Sequence, residues 1–335
     1  MKHRWCLAVA IAVGLGICPA GAQPASKPAA HAWKTPRTPW GDPDLQGEWP
    51  GNMGVPMQRP KAMGTRTVLT DEEYAKKVEQ AKRASAADSV EFASKDERVT
   101  IGPPSYWTER GTPTRQASLI VDPPDGRMPP MTVEAKAIQA KTPAEWSGVA
   151  NSVHDVNLYY RCITRGLVGS VIPVVYNNGN QIVQAPGYVV IRNEMIHETR
   201  VIPLDGRPHV SPNIRTYLGD SRGHWEGDTL VIDTTNFNDK TSIGSNGVAY
   251  NGEGGRTSDA LHVTERLTRT DANTIEYRIT IDDPKTWTAP WTLSIPLQRD
   301  DKYDFLEYAC HEGNYALKDI LSGARIQEAA GRGSK

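Results

Sequence analysis

Short apolar runs, separated by glycine, proline and Asn-Gly pairs, fill the stretch from residue 161 to residue 237. Apolar and polar positions alternate inside these runs, which is typical of β-strands joined by tight turns. The four clearest runs are NQIVQ, YVVIRNEM, ETRVIPL and DTLVIDT. The pattern therefore predicts successive strands, and this stretch organises the rest of the fold.

The strand pattern continues to the C-terminal part of the chain. LHVTERLTR and NTIEYRITI flank the turn residues 270–272 and predict a hairpin, and DDPKTWTAPWTLSIPL and YDFLEYAC predict two further strands. About eight to ten strands without alternating helices predict a mainly β domain over residues 153–325. Its architecture is either an antiparallel, lipocalin-like barrel or a sandwich, and strand spacing does not distinguish them.

The N-terminal third has a different pattern. A helical segment from Leu69 to Ala87 begins with Thr70 and Glu73 at capping-box spacing, and a second runs from Thr132 to about residue 141. Between them, residues 118–121 predict one short strand. Apolar faces here are too narrow for an independent core. We therefore predict that residues 46–152 wrap and brace the β domain, the alternative being a separate domain.

The two ends of the chain predict export and disorder. Residues 1–22 combine a positive start, an apolar middle too short to be a permanent membrane span, and an Ala-Gly-Ala cleavage site, which predicts a signal peptide. The alternative is a lipoprotein site at Cys18, which the bulky Ile17 disfavours. We predict that residues 23–45 form a flexible leader and that residues 326–335 form a disordered tail. We therefore expect a periplasmic or secreted protein without a transmembrane segment.

Export decides how the cysteines are interpreted. Loss of the signal removes Cys6 and Cys18 and leaves Cys162 and Cys310. Two cysteines in an oxidising compartment favour one disulfide. Two buried free thiols are the alternative, and a catalytic thiol is disfavoured because neither cysteine has a nucleophile motif around it.

Charge and motifs narrow the classes of partner. Removing Lys2 and Arg4 with the signal leaves 36 basic against 39 acidic residues, a net charge of −3, which gives no electrostatic case for nucleic acid. Walker, GxGxxG and HExxH motifs are absent from the sequence. We therefore predict no cofactor and no metal, with histidines assembled by the fold as the alternative. The expected partner is a small molecule, and the oligomeric state is not indicated.

Candidate site residues lie in or beside the predicted strands. Glu265 shares the apolar face of its strand, where a carboxylate costs several kcal/mol unless it is paired or protonated. It is therefore an acid or base with a raised pKa, a buried salt bridge, or a residue turned outward by a kink. The predicted catalytic residues are Glu194, His197, Glu265, His311 and Glu312, and the predicted substrate-binding residues are Arg161, Tyr176, Asn177, Arg207, His224, Trp225 and Trp287.

Long motifs across residues 36–325 carry a resemblance. They are TPWGDPDLQGEW, RCITRG, EMIHETRVIPLDGRPH, GDSRGHWEGDTLVIDTTNF and EYACHEGNY. With them the chain resembles a large family of secreted bacterial proteins, and this implies secretion and a β-rich fold but no reaction. The segment WEGDTLVIDT is also similar to hairpins of lipocalin-type barrels, some of which bind apolar ligands while a few are hydratases or isomerases.

These observations give one main functional hypothesis. We expect an exported, cofactor-independent lyase, hydrolase or isomerase that acts on a small organic molecule or glycoside by His/Glu acid–base chemistry. The alternatives are a non-catalytic periplasmic binding protein and an envelope-associated structural protein. Convergence of His197, Glu265 and His311 on one pocket would favour the enzyme.

Overall fold

Two antiparallel sheets make up most of the structure. The computed structural model describes residues 33–51, 54–94, 104–141, 150–243 and 256–331, with the backbone alone for residues 91–94. The smaller sheet has four strands in the order β1-β3-β4-β5. Its strands are β1 (Gly47–Glu48), β3 (Asn180–Ala185), β4 (Tyr188–Asn193) and β5 (Thr199–Pro203).

The larger sheet has six strands in the order β2-β10-β9-β8-β7-β6. Alternation along β8 and β9 buries one face and leaves polar side chains on the other, as expected for a half-buried sheet. The predicted hairpin is confirmed, with its turn between Asp271 and Thr274. The strands are β2 (Ile120–Asp122), β6 (Asp220–Glu226), β7 (Thr229–Thr235), β8 (His262–Asp271), β9 (Thr274–Asp282) and β10 (Trp291–Gln298).

The inner faces of the two sheets share one hydrophobic core. Ile182 and Ile191 from the smaller sheet and Leu267 and Ile279 from the larger one belong to the same buried cluster. The described residues from Lys34 onward form one compact unit. Strands β5 and β6 are joined by residues 204–219 and lie in separate sheets. Within the described residues the closed, lipocalin-like barrel is therefore wrong, and the sandwich fits.

Four helices and four 3₁₀ turns accompany the two sheets in the described residues. Thr70 and Glu73 form the predicted capping box of α1, since the Glu73 N–H donates to Thr70 Oγ1 at 3.2 Å and the Thr70 N–H donates to Glu73 Oε2 at 2.8 Å. No helix in the described ranges is both long enough and apolar enough to cross a bilayer. The helices are α1 (Asp71–Ser94), α2 (Val133–Lys141), α3 (Leu167–Val171) and α4 (Ala316–Ala329), with 3₁₀ turns at Lys61–Met63, Ser105–Trp107, Val153–Asp155 and Met195–His197.

The N-terminal third supplies one edge strand to each sheet. Strand β1 pairs with β3, and β2 pairs with β10. Residues 34–45, which we predicted as part of a flexible leader, instead make contacts with both sheets: Arg37 pairs with Asp228 in the β6–β7 turn, and Gln184 of β3 donates to the Pro43 carbonyl at 3.0 Å. Leu45 is fully buried, and its N–H donates to Gln184 Oε1 at 2.7 Å. The predicted signal peptide lies outside the described residues.

Two predictions near the C-terminus are wrong. The segment YDFLEYAC alternates like a strand but belongs to neither sheet. The physical reason is that a side chain takes its backbone hydrogen bond, since the Leu306 N–H donates to Glu194 Oε1 at 3.0 Å. Helix α4 also runs into the predicted disordered tail, as far as Ala329.

Candidate functional site

Three phenols and a buried guanidinium lie together where three loop segments meet. We call Trp107, Tyr159, Arg165, Tyr176 and Tyr308 the tyrosine–arginine site. The hydroxyls of Tyr159 and Tyr308 are 2.9 Å apart, and Tyr176 lies close enough to influence the ionisation of both. The guanidinium carbon of Arg165 lies 5.8 Å from the Tyr159 ring centre. Trp107 meets Tyr176 edge to face, with ring centres 5.7 Å apart.

The phenols of this site are held in the neutral form. Burial is the largest cause, and it raises the pKa of Tyr159, Tyr176 and Tyr308. The positive charge of Arg165 acts in the opposite direction but is outweighed. All three rings are nevertheless only partly buried. The site therefore offers hydroxyl groups that donate hydrogen bonds at every pH in the physiological range.

A carboxylate lies beneath the site. Glu198 is buried and accepts hydrogen bonds from the hydroxyls of Thr164 and Ser170 and, at 3.4 Å, from the Arg165 N–H. Burial raises the pKa of Glu198, and these hydrogen bonds and the charge of Arg165 offset part of that effect. The turn that precedes α3 thus carries Arg165 and Thr164, and α3 itself carries Ser170.

A second network, which we call the Glu194 clamp, fixes the neighbouring loops. Glu194 Oε1 accepts from Asn177 Nδ2 at 2.8 Å and from the Leu306 N–H at 3.0 Å. Glu194 Oε2 accepts from the Tyr303 hydroxyl at 2.5 Å and from the Gly179 N–H at 3.2 Å. The carboxylate is 1% exposed and is surrounded by neutral donors. We therefore assign Glu194 a positioning role.

The clamp extends to Glu109 and requires a glycine. Glu109 accepts from the backbone N–H groups of Asn177, at 2.6 Å, and Asn178, at 2.9 Å. A Cβ atom at Gly179 would lie 2.7 Å from both Glu194 Oε2 and the Tyr303 ring. The absence of a side chain there lets the carboxylate and the phenol approach the backbone closely.

Unusual backbone conformations concentrate around these two networks. Five non-glycine residues in the described ranges have positive φ. Four of them flank the site: Cys162 (53°), Asn177 (56°), Ile196 (59°) and His197 (46°). For a β-branched residue such as Ile196 this conformation is strained, and strain of this kind clusters at functional sites.

His197 is oriented by the same segment that carries Tyr308. Its Nδ1 atom lies 3.1 Å from the Tyr308 carbonyl oxygen, and the side chain is exposed. A carbonyl only accepts, so we assign the hydrogen to Nδ1. In the neutral ring this leaves Nε2 as the basic nitrogen.

The predicted disulfide is confirmed. Cys162 and Cys310 are bonded, with Cα atoms 5.7 Å apart and 148 positions between them in the sequence. The bond joins the turn that carries Tyr159 and Arg165 to the segment that carries Tyr308. Arg161 directly precedes Cys162, and His311 directly follows Cys310. His311 and the next residue, Glu312, are exposed.

Glu265 lies elsewhere, between the two sheets. It is fully buried, and Arg200 donates to both of its carboxylate oxygens at 2.7 Å. The Tyr277 hydroxyl also donates to it. Of the three interpretations made from the sequence, this arrangement is the buried salt bridge. Trp287, predicted as a wall of the cleft, is buried in the core against Trp291, with ring centres 5.4 Å apart.

The remaining predicted residues lie on the larger sheet or its loops. Arg207 pairs with Asp205 in an exposed loop, and His224 lies 3.2 Å from Glu226 on the outer face. Trp225 packs against the core. The structure therefore brings Tyr176, Asn177, Glu194 and His197 together, and it does not join Arg207, His224, Trp225, Glu265 or Trp287 to them.

A second polar cluster lies at the edge of the larger sheet. His209 Nδ1 is 2.9 Å from Asp220, its Nε2 is 2.8 Å from Asp233, and His262 Nε2 is 2.5 Å from the other Asp233 oxygen. Burial favours the protonated acid at Asp233, but the hydrogen bonds from His262 and His209 outweigh it and hold its pKa below the usual value. In the part of the chain that the structure describes, no group of three or more His, Cys, Asp or Glu is placed to hold a metal ion.

The predicted site residues do not include Tyr159, Arg165, Glu198 or Tyr308. For Tyr159, Arg165 and Tyr308, the signal that could have found them is their distance from the cysteines. Tyr159 and Arg165 lie three positions on either side of Cys162, and Tyr308 lies two positions before Cys310. The disulfide predicted between Cys162 and Cys310 therefore also implies that Tyr159, Arg165 and Tyr308 lie near one another.

Comparisons with protein-family models, with curated proteins and with solved structures found no match. The proposed function therefore rests on the geometry of this chain.

Proposed function

We propose that this protein is an exported, cofactor-independent enzyme that acts on a small organic molecule at the tyrosine–arginine site by acid–base chemistry. The observation that carries the proposal is the meeting of three partly buried phenols with a buried guanidinium, Arg165, where backbone strain concentrates. The reaction is of the lyase, hydrolase or isomerase type, because none of these requires an electron carrier.

The donors suit an oxygen atom on which negative charge develops. Neutral phenols donate hydrogen bonds, and a nearby guanidinium stabilises the charge that forms on a carbonyl or leaving oxygen. Tyr159 and Tyr308 are placed to act on one oxygen, since their hydroxyls are 2.9 Å apart. The exposed indole of Trp107, 52% accessible, provides an apolar surface for a ring of the ligand.

A base is also available at the edge of the site. With Nδ1 held by the Tyr308 carbonyl, His197 presents Nε2 as the proton acceptor. Glu194 and Glu109 hold the loops in place rather than react, because neutral donors surround the buried Glu194 carboxylate. This division of roles replaces the Glu194, Glu265 and His311 chemistry expected from the sequence.

A non-catalytic binding protein is the second candidate. The hydrogen bond between the Tyr159 and Tyr308 hydroxyls favours this candidate. A ligand oxygen could take the place of this hydrogen bond, and the ligand would then be held without any of its covalent bonds being broken. Both candidates use the same residues, so they differ only in turnover.

The test is a screen of the mature protein against aryl glycosides, lactones and aromatic carboxylate esters, with product formation and ligand binding measured in parallel. We expect Tyr159→Phe and Tyr308→Phe to lower turnover by about 10²–10⁴-fold, the usual contribution of a general acid. Tyr315→Phe, at a 66% exposed position, is the matched control and should have no effect.

The outcomes separate the two candidates. Binding that depends on Tyr159 and Tyr308 without product formation makes this a binding protein. Full turnover in both phenylalanine variants would place the chemistry elsewhere and reject the site. Export is tested separately, by the N-terminal sequence of the chain recovered from the periplasmic fraction, which we expect to begin at Gln23.

A further inference from the structure

The two cysteines connect the two halves of the tyrosine–arginine site, and this connection leads to a further inference. Tyr308 lies in the segment after β10, which joins neither sheet. Its position is fixed from both sides. The Glu194 clamp holds Tyr303 and Leu306, and the disulfide holds Cys310. Tyr308 is thus two residues from an anchor in each direction.

The other half of the site is held in the same way. Cys162 lies in the turn between Tyr159 and Arg165, three positions from each, and adopts positive φ. Asn314, which follows Cys310 in the chain, donates to Cys162 Sγ at 3.0 Å and to the Tyr160 carbonyl at 3.2 Å. Together with the Tyr159–Tyr308 hydrogen bond, these contacts join the two halves of the site, and the disulfide is the covalent link among them.

We infer that the Cys162–Cys310 disulfide is the positioning device of the tyrosine–arginine site, and that its reduction by a dithiol separates Tyr308 from Tyr159 and inactivates the site. The inference rests on the proposed function for its biological meaning. The reduction transfers two electrons and two protons: the dithiol becomes a disulfide, and Cys162 and Cys310 become thiols. Both cysteines are only partly buried, so a small dithiol can reach the bond.

The sandwich has a different source of stability. Its core is formed by the inner faces of the two sheets, and neither cysteine belongs to the core cluster. Reduction should therefore release the segment that carries Tyr308 while the sheets stay folded. This separation of local and global effects makes the inference testable.

The first measurement needs no ligand. Ionisation of tyrosine is followed by ultraviolet absorption in the oxidised and the dithiol-reduced protein, with far-ultraviolet circular dichroism as the check of folding. Burial raises the pKa of Tyr159 and Tyr308 in the oxidised form. We expect two more phenols to ionise near the ordinary tyrosine pKa of about 10 after reduction. In the reduced Tyr308→Phe variant, only one additional phenol should ionise near this pKa.

A variant without the disulfide repeats the test without a reductant. Cys162→Ser/Cys310→Ser should titrate like the reduced protein, and Cys162→Ala/Cys310→Val serves instead if the serine variant does not fold. Unchanged titration in a folded, disulfide-free protein overturns the inference. Loss of both sheets on reduction also overturns it, because the disulfide would then hold the fold rather than the site.

The second measurement uses whichever substrate the screen identifies. We expect turnover to fall by about 10²-fold on reduction and to return on reoxidation, as for a displaced catalytic group. The two proposals fail separately. A changed titration without any turnover supports the positioning role and rejects the enzyme, whereas turnover with an unchanged titration supports the enzyme and rejects the positioning role.

Discussion

Arg200 and Arg165 are both buried, but the regions around them differ. Arg200 lies between the sheets, where both carboxylate oxygens of Glu265 accept from it at 2.7 Å. Arg165 lies under the ring of Tyr159 among phenols that reach the surface. The first region is closed by regular strands, and the second is built from loops with positive φ at four non-glycine residues.

The contrast between these two arginines separates structural from functional charge in this molecule. A buried charge that is matched by one partner, with good geometry on regular strands, needs no ligand to explain it. A buried charge on strained loops is different when partly exposed neutral donors lie above it, because a ligand can approach from that exposed side. The predictions below test this comparison in order of decreasing effect on stability.

Glu265→Gln should have the largest effect. It removes the charge that compensates Arg200 in the core, so we expect the free energy of unfolding to fall by about 3–5 kcal/mol, measured by denaturant unfolding. The double variant Arg200→Met/Glu265→Leu is the matched control and should recover most of the loss. If the Glu265→Gln protein is as stable as the wild type but inactive, the conclusion that the Arg200–Glu265 pair is structural is wrong, and Glu265 is catalytic.

Gly179→Ala should have a smaller effect that is confined to the loops. The added methyl group would meet Glu194 and the Tyr303 ring at 2.7 Å, and overpacking of this kind costs about 1–3 kcal/mol. Thermal unfolding and tyrosine titration measure the two consequences. Gly187→Ala, where a Cβ meets nothing within 4 Å but φ is +78°, is the control for backbone strain alone. Equal losses in both variants would argue against the Glu194 clamp.

Tyr308→Phe should change stability less and function more. It removes one hydrogen bond, worth about 1 kcal/mol, from Tyr159. Ligand binding or turnover should fall while the melting temperature shifts by only a few degrees. A large loss of stability with unchanged function would assign this phenol to the structural class of Arg200 and Glu265.

Asp233→Asn should have the smallest effect, which should be present above about pH 4 and disappear in acid. The pKa of Asp233 is lowered in the folded protein, so its ionised form stabilises the fold above the ordinary value of 3.8 and this contribution is lost as the pH falls through the folded pKa. We therefore expect the unfolding free energy of the variant to depend less on pH below about pH 4. A pH dependence equal to that of the wild type would contradict the His209–Asp233–His262 arrangement.

The strands could be predicted because their signal is local. Alternation places Glu265 on the inward face together with Val263 and Leu267, as the structure shows. Its partner Arg200 could not be predicted, since it lies in the other sheet and no local pattern joins the two. The YDFLEYAC segment alternates equally well, but the Glu194 carboxylate takes a backbone N–H that a neighbouring strand would otherwise use.

The tyrosine–arginine site was missed for a related reason. Its phenols come from positions 159, 176 and 308, and the loops that carry them have no periodicity. Reasoning from charged residues inside strands favours groups such as Glu265, which the fold neutralises. Of the three phenols, only Tyr176 is among the predicted site residues; Tyr159 and Tyr308 are identified by the contact between their hydroxyls in the structure.

The pairing of β2 with β10 has a consequence for how the chain is made. Residues 120–122 leave the ribosome long before residues 291–298, with which they pair. The contiguous strands β6 to β10 can assemble first, because each pairs with its neighbour in sequence. Until the N-terminal strands dock, the open edges of β3 and β10 can pair with other chains. The N-terminal third therefore protects the rest of the protein against aggregation. A shortened chain that begins at residue 153 would lack β1 and β2 and would lose this protection.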